Sequence, residues 1–369
     1  MSGIEDGSIN LVVTSPPYPM IQMWDEHFCA ANAAITEALK KSDGDRAFNL
    51  MHQDLDGVWK EMHRTMAPGA IACINIGDAT RTIQGKFRLY ANHARIISCL
   101  QKLGLCQLPA VLWRKTTNAP NKFMGSGMMP PGAYVTLEHE YILIFRKGAK
   151  REFPDERQKL IRRQSAYFWE ERNNWFSDVW TGLPGTLQNF KNTDSRLRSA
   201  AFPFELAYRL INMFSVKGDI VLDPFLGSGT TLLAAMCACR HSVGYEIDDK
   251  LQPIVLERIA GLPDLSRKII EDRLEAHHGF IKERSAAKGD LKYHNTHYGF
   301  PVMTRQEQDL YLDRATSIQY LSDNRFCVDY MDSSLSEKAC PETCAKADRA
   351  SAGSQPVTQK FKGRQLKLF

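Results

Sequence analysis

Ser15, Pro16, Pro17 and Tyr18 form a short stretch whose residue types can grip an amino group. Two consecutive prolines fix φ and donate no backbone N–H, so nearby carbonyls can be held outward as acceptors beside the Ser15 hydroxyl. The apolar run Ile9-Asn10-Leu11-Val12-Val13 ahead of it reads as a buried strand delivering this turn to a sheet edge. An ordinary Pro-Pro turn after a strand has the same local pattern. A second constellation lies far downstream. Ile220-Val221-Leu222-Asp223-Pro224-Phe225-Leu226-Gly227-Ser228-Gly229-Thr230-Thr231 reads as strand, glycine-rich turn and helix start, the form of a loop whose backbone a nucleotide-type cofactor can approach. His241 to Asp248 reads as the next strand, and its Glu246 falls where a carboxylate would accept from both hydroxyls of a ribose. A phosphate-binding P-loop would need a lysine before the last threonine, and there is none. A cofactor without a triphosphate fits better.

In this order the two stretches resemble the amino-methylating DNA methyltransferases that use S-adenosylmethionine, in the group whose catalytic motif precedes the cofactor loop. Thr14-Ser15-Pro16-Pro17-Tyr18 is similar to the family's catalytic signature in its N4-cytosine form, and Asp223-Pro224-Phe225-Leu226-Gly227-Ser228-Gly229 to its cofactor signature. The resemblance spans roughly residues 4 to 260. It implies an α/β, Rossmann-like methyltransferase fold with a mainly parallel central sheet, an inserted target-recognition region and a partly helical C-terminal appendage. It also implies Ser15, Pro16, Pro17 and Tyr18 as the catalytic residues. Cofactor contacts then fall to Phe204, Glu205, Asp223, Pro224, Phe225, Gly227, Ser228, Gly229, Thr230 and Glu246. Partners are double-stranded DNA and a cognate restriction endonuclease acting on the same site. Relatives carry a further strand-and-acid segment upstream of the catalytic strand, whereas only eight residues precede Ile9. Serine ahead of Pro-Pro-Tyr points to cytosine N4, aspartate or asparagine there to adenine N6. A catalytically silent DNA-binding protein on the same fold is the reading from another class.

The bulk properties agree. With 369 residues, 43% apolar and 24% charged, the chain can bury one catalytic domain plus a smaller module. No run of eighteen apolar residues and no basic-then-apolar leader is present, so we read it as cytoplasmic. Nine cysteines, several in apolar segments, suit reduced core thiols better than a disulfide framework. A net charge of +5 permits nucleic acid as a partner without demanding it. No metal site is expected: Cys340 and Cys344 lack a second pair of ligands.

The elements that must position the chemistry follow in order. A catalytic half spans 1–145. Within it Pro19 to Phe28 could wall a pocket for an extruded base or simply pack beneath a loop, and Asp25 and His27 are weak candidates for proton handling. Gln53 to Met66 reads as a helix from apolar residues at three- and four-residue steps, and Ala70 to Ile76 as a second buried strand. Asp78 at the strand end reads as a cap for the next element. Asn121 to Gly132 reads as a long mobile loop able to close over DNA, and Tyr134 to Phe145 as a strand whose His139 and Glu140 could meet the target base. The region 146–198 mixes basic and aromatic residues, so target recognition is expected there, with Arg162, Arg163, Lys191 and Arg196 as DNA contacts. A cofactor half covers 199–262, with Pro203 starting a helix. A helical appendage follows over 263–332, including helical character at Arg267–Arg284 and Arg305–Leu321. A polar, mobile tail is expected over 333–369.

Overall fold

The apolar run from Ile9 forms strand β1 (Ile9–Thr14), buried on both faces as a central parallel strand must be. The computed structural model describes residues 1, 3–115, 124–184, 202–321 and 324–332, together with the backbone of 357–363. After β1 come α1 (Asp25–Ala31), α2 (Ala33–Lys40), α3 (Gly44–Thr65), β2 (Met66–Ile76), β3 (Ala79–Ile83), β4 (Lys86–Tyr90), α4 (Asn92–Lys102) and β5 (Leu105–Arg114). Next are β6 (Met124–Gly125), β7 (Ala133–Tyr134), β8 (His139–Lys147), α5 (Glu156–Gln164), α6 (Trp169–Trp175) and β9 (Val179–Trp180). The cofactor-side elements are α7 (Phe204–Phe214), β10 (Ile220–Asp223), α8 (Thr230–Cys237), β11 (His241–Glu246) and α9 (Gln252–Ala260). The rest comprises α10 (Leu262–Lys288), β12 (Tyr293–His294), β13 (Pro301–Val302), β14 (Asp313–Tyr320), β15 (Arg325–Asp332) and β16 (Val357–Gly363).

Among the described residues one ten-stranded sheet runs β14-β15-β16-β11-β10-β1-β2-β8-β5-β9. β1 lies between parallel β10 and β2, and β10 is parallel to β11. The carboxyl ends of these four strands therefore share one edge, the place where open α/β sheets bind ligands. β8 enters antiparallel between β2 and β5, so its first residues arrive at that same edge. The α/β, mainly parallel expectation holds.

Alternation along β1 divides the core. Val12 faces a layer that includes Leu55 and Trp59 of α3, while Leu11 and Val13 face one that includes Leu206 of α7 and Leu233 of α8. Each such fully buried large side chain contributes about 1.5–3 kcal/mol. Helix α8 is buried on every side, which its run Leu232-Leu233-Ala234-Ala235-Met236 requires. α3 begins at Gly44, nine residues before the expected start, because Asp43 accepts from Arg46 N at 3.0 Å and caps it.

Two expectations change in the C-terminal part. Arg305–Leu321, expected to be helical, is a 3-10 turn at Arg305–Glu307 followed by strand β14. Pairing of β14 with β15, and of β15 with β16, outweighs local helix propensity. The described appendage is thus one long helix, α10, a separate β12–β13 pair, and strands β14 and β15 joined to the main sheet. The polar tail lies outside the described residues, Cys340 and Cys344 included, except for β16, which pairs parallel with β11. In the Asn121–Gly132 segment, 121–123 lie outside the described residues, while β6 pairs with β7, just past Gly132, as a small hairpin. No helix of the described residues is long and apolar enough to cross a membrane.

Candidate active site

The Ser15–Tyr18 turn and the glycine-rich loop leave adjacent strands, and one buried carboxylate joins them. Asp223 ends β10 and is 2% exposed. It accepts from Thr14 Oγ1 at 2.6 Å, from Thr231 Oγ1 at 2.7 Å and from Phe225 N at 3.0 Å. These bonds tie the end of β1 to the start of α8. Burial pushes the Asp223 carboxyl up to about 6, against the opposing pull of the two threonine hydroxyls and the Phe225 amide. Both oxygens of Asp223, which the sequence offered to the cofactor, are engaged by these protein groups.

Beyond Thr14, Pro16 is buried while Ser15, Pro17 and Tyr18 remain partly exposed. The Tyr18 hydroxyl lies 3.1 Å from Ser15 Oγ, 2.9 Å from Glu140 Oε2 and 2.9 Å from Asn75 Nδ2. Asn75 Nδ2 also donates to Glu140 Oε2 at 2.6 Å, and Lys115 Nζ lies 3.0 Å from Glu140 Oε1. Burial, then the nearby Glu140 charge, raises the Tyr18 phenol well above its ordinary value, so it stays protonated. Gly77 sits against the ring: a Cβ there would stand 3.0 Å from Tyr18 Cε2. Glu140, expected as a contact to the base, thus lies behind Tyr18, while His139 packs edge-on to Tyr141.

A second brace holds the turn from below. Asn92 Nδ2 donates to the carbonyls of Pro19 at 3.1 Å and Gly77 at 2.9 Å. With its amide hydrogens so used, Asn92 Oδ1 must accept, and His52 Nε2 donates to it at 3.0 Å. Burial lowers His52 to about 4, so the ring is neutral with the proton on Nε2. Asp78 accepts from His93 N in the first turn of α4 at 3.1 Å, the capping role its sequence position suggested. Asp25 is held by Arg81 through bonds of 2.9 and 2.7 Å. In the adjoining stretch Met20 is 1% exposed and belongs to the core.

The glycine-rich loop is open on its outer side. A Cβ on Gly227, at φ +54°, would meet nothing within 4 Å. Gly229, at φ +80°, caps α8, and a Cβ there would stand 3.2 Å from Val255. Glu246 at the end of β11 accepts from Gly227 N at 2.7 Å and from Ile247 N and Asp248 N at 2.8 Å each. Burial raises this carboxyl against those three amides. Arg258 of α9 donates to Ser228 O and Oγ, both at 2.7 Å, and to Thr230 Oγ1 at 3.2 Å. Pro224 is buried and Phe225 partly so, edge-on to Trp59 at 6.0 Å. Phe204 stacks on Tyr208 at 5.6 Å, and Glu205 pairs with Arg209 at 2.8 Å.

Of the expected DNA contacts, Arg162 and Arg163 lie among the described residues. Arg163 pairs with Asp309 at 2.7 Å and Arg162 lies over the Phe153 ring at 4.9 Å. Their helix, α5, ends at Ser165, whose Oγ accepts from Lys217 N just ahead of β10. Both arginines therefore lie toward the amino ends of the parallel strands, the edge opposite Ser15. The following helix, α6, is locked to α10 by Glu171 with Arg273 at 2.6 Å and Glu170 with His277 at 2.7 Å. Lys191 and Arg196 lie outside the described residues.

Sequence reasoning missed Asn75, Asn92, Lys115 and Arg258. Only Asn75 carried a signal, as a polar residue inside the apolar run Ile71–Ile76 of β2.

Comparison with known proteins bears on the assembly of turn and loop. Residues 9–257 match the family model for N6/N4 methyltransferases, described as DNA methylase. The type II methyltransferase M.MthZI of Methanothermobacter thermautotrophicus is 52% identical over 327 residues, covering 88% of this chain and 91% of the relative. M.MjaI of Methanocaldococcus jannaschii is 51% identical over 270 residues, 70% of this chain and 88% of the relative. Among solved structures, TTHA0409 of Thermus thermophilus complexed with S-adenosyl-L-methionine superposes with a TM-score of 0.54 at 30% identity, covering 71% of this chain and 89% of that one. The match begins at β1, ahead of the Ser15–Tyr18 turn, and runs past the glycine-rich loop and Glu246; the chain belongs to the N6/N4 family of DNA methylases.

Proposed function

We propose that the chain transfers the methyl group of S-adenosylmethionine to the exocyclic N4 amine of cytosine in double-stranded DNA, at a specific site, as the modification arm of a restriction-modification pair. The carrying observation is Ser15 at the end of β1, beside a cofactor loop tied to that strand through Asp223. Serine in front of Pro-Pro-Tyr is the form associated with cytosine N4. The residues fit the cofactor: open space over Gly227, a helix start at Thr230 and the Glu246 carboxylate surround one edge of the sheet. Phe225, Gly227, Ser228 and Glu246 would hold its nucleoside, and Phe204 and Glu205 its methionine end. S-adenosylmethionine supplies an electrophilic methyl on sulfur.

The chain's part is to prepare the amine. A conjugated amino group is a poor nucleophile because its lone pair is shared with the ring. Acceptance of its hydrogens by Ser15 Oγ and the proline-flanked carbonyls draws the nitrogen toward tetrahedral geometry and frees that lone pair. Tyr18 stacks on the extruded base, and positioning for in-line attack provides much of the rate. The catalytic half, 1–145, and the cofactor half, 199–262, then meet at this edge, which is the face we assign to DNA. M.MthZI and M.MjaI carry the name type II methyltransferase, which supports a partner endonuclease of the same site.

Radiolabelled methyl transfer to duplex DNA of varied sequence, with single-stranded RNA as comparison, tests this reading. We expect label in duplex DNA and its loss in Ser15→Ala with cofactor affinity unchanged. Cofactor binding without transfer to any DNA contradicts it and favours a silent DNA-binding protein.

A further inference from the structure

The hydrogen bonds behind the turn have a direction. A carboxylate only accepts, so Glu140, facing the Lys115 ammonium at 3.0 Å through one oxygen, must accept through the other from both Tyr18 and Asn75. Asn75 is thereby fixed with its amide nitrogen toward Glu140 and the Tyr18 oxygen. The opposite amide orientation would set two acceptors 2.6 Å apart. Its Oδ1 is left buried without a partner, an arrangement tolerated for the sake of the other end. The protonated Tyr18 phenol spends its single hydrogen on Glu140, so its oxygen can only accept from Ser15. The Ser15 hydroxyl hydrogen then points inward to Tyr18, and its lone pairs point outward.

We infer that Glu140, oriented by Lys115 and Asn75, is a positioning residue that sets the polarity of the Tyr18–Ser15 hydroxyl chain and so presents Ser15 to the substrate as an acceptor. The inference rests on the reading of this turn as the amine-binding site, and it adds a specificity device. An acceptor at Ser15 welcomes the N–H groups of an exocyclic amine and repels a ring carbonyl in the same place, since that would set two acceptors together. A cytosine is thereby separated from a thymine or uracil by the direction of one hydroxyl. Replacing Glu140 with glutamine undoes this polarity. The new amide keeps its oxygen on Lys115 and turns its NH2 on the Tyr18 oxygen and on Asn75, which must flip to accept it. The Tyr18 hydrogen is then released from position 140 to Ser15 or to Asn75 Oδ1, and the Ser15 hydrogen is no longer held inward.

Steady-state methyl transfer to duplex DNA tests this with wild type, Glu140→Gln, Tyr18→Phe and the double variant, with cofactor affinity measured by calorimetry. We expect each single variant to lose about 10- to 100-fold in kcat, below the roughly 100- to 1,000-fold cost of removing a donor aimed at the reacting atoms, because both residues act through Ser15. KM for DNA and the cofactor Kd should stay within about threefold. Because both residues act through one hydroxyl, the double variant should be no worse than Tyr18→Phe by more than about threefold. Tyr18→Phe keeps the ring, so its loss in kcat reads the hydroxyl rather than the stacking. Formate should restore activity to Glu140→Ala, filling the vacated carboxylate position, and leave Tyr18→Phe unchanged. An active wild type with unchanged kcat in Glu140→Gln, multiplying losses in the double variant, or no rescue by formate overturns the inference while the proposed function stands. An inactive wild type overturns the function instead.

Discussion

Replacing Asp223 with asparagine should stabilise the protein at neutral pH relative to acid, although Asp223 makes three hydrogen bonds. Burial holds its carboxyl at about 6, against 3.8 for the ordinary group, so the folded protein binds this proton more tightly than the unfolded chain. Between those values the folded state keeps the proton and the unfolded state has lost it, and stability therefore falls as pH rises. A shift of about 2 units at 1.36 kcal/mol each amounts to roughly 3 kcal/mol over the whole titration, of which about 2 kcal/mol is lost between pH 4 and pH 7. Asp223→Asn carries no titratable group and keeps the shape. Its amide oxygen can still accept from Thr14 and the Phe225 amide, while the Thr231 hydroxyl, 3.3 Å from Val13 O, can turn its hydrogen there and accept from the new NH2. Urea unfolding of wild type and variant at pH 4.5, 6 and 7.5 isolates the effect, because every other titrating group is common to both. We expect the stability of the variant minus that of wild type to climb by about 2 kcal/mol from pH 4.5 to 7.5. A difference flat with pH, or one that falls, would refute the reasoning that burial dominates at this carboxylate.

Further outcomes follow from other buried groups. His52 is lowered to about 4 from 6.5, so stability is intact above pH 6.5 and declines by about 3 kcal/mol as pH falls to 4; His52→Gln should flatten that part of the acid-unfolding profile. Arg258→Met removes three bonds from the cofactor loop and should weaken S-adenosylmethionine binding by about 10-fold in calorimetry. Its effect on urea stability should be small, because the guanidinium is buried at a penalty of its own. Glu171→Ala strands Arg273 among the rings of Phe168, Trp175 and Tyr208 and should cost about 3–5 kcal/mol in urea unfolding.

What could be read directly from the sequence was what is contiguous in it. The Ser15–Tyr18 turn and the Asp223–Thr231 loop each follow an apolar strand that is locally recognisable, and the parallel pairing of β1 with β10 makes them neighbours. Asn75, Lys115 and Glu140 come from separate stretches of chain and meet Tyr18 only because β8 inserts antiparallel between β2 and β5. Nothing local to any of them announces that meeting. Arg162 and Arg163 drew attention through charge and chain position, but the direction of the strands decides which edge a connecting segment reaches, and these two reach the one opposite Ser15. Arg305–Leu321 failed differently: strand pairing across the sheet overrode a helical local preference. The bonds from Asp223 to Thr14 and Thr231 were not legible, since sequence position cannot show which way a carboxylate at a strand end is turned.

The central claim is that the turn acts on cytosine N4. Duplex DNA methylated with deuterated S-adenosylmethionine, digested to nucleosides and resolved by mass spectrometry, tests it most directly. The expected product is N4-methylcytosine carrying the deuterated methyl, absent when Ser15 is replaced by alanine. Deuterated N6-methyladenine as the sole product would contradict the assignment of the base.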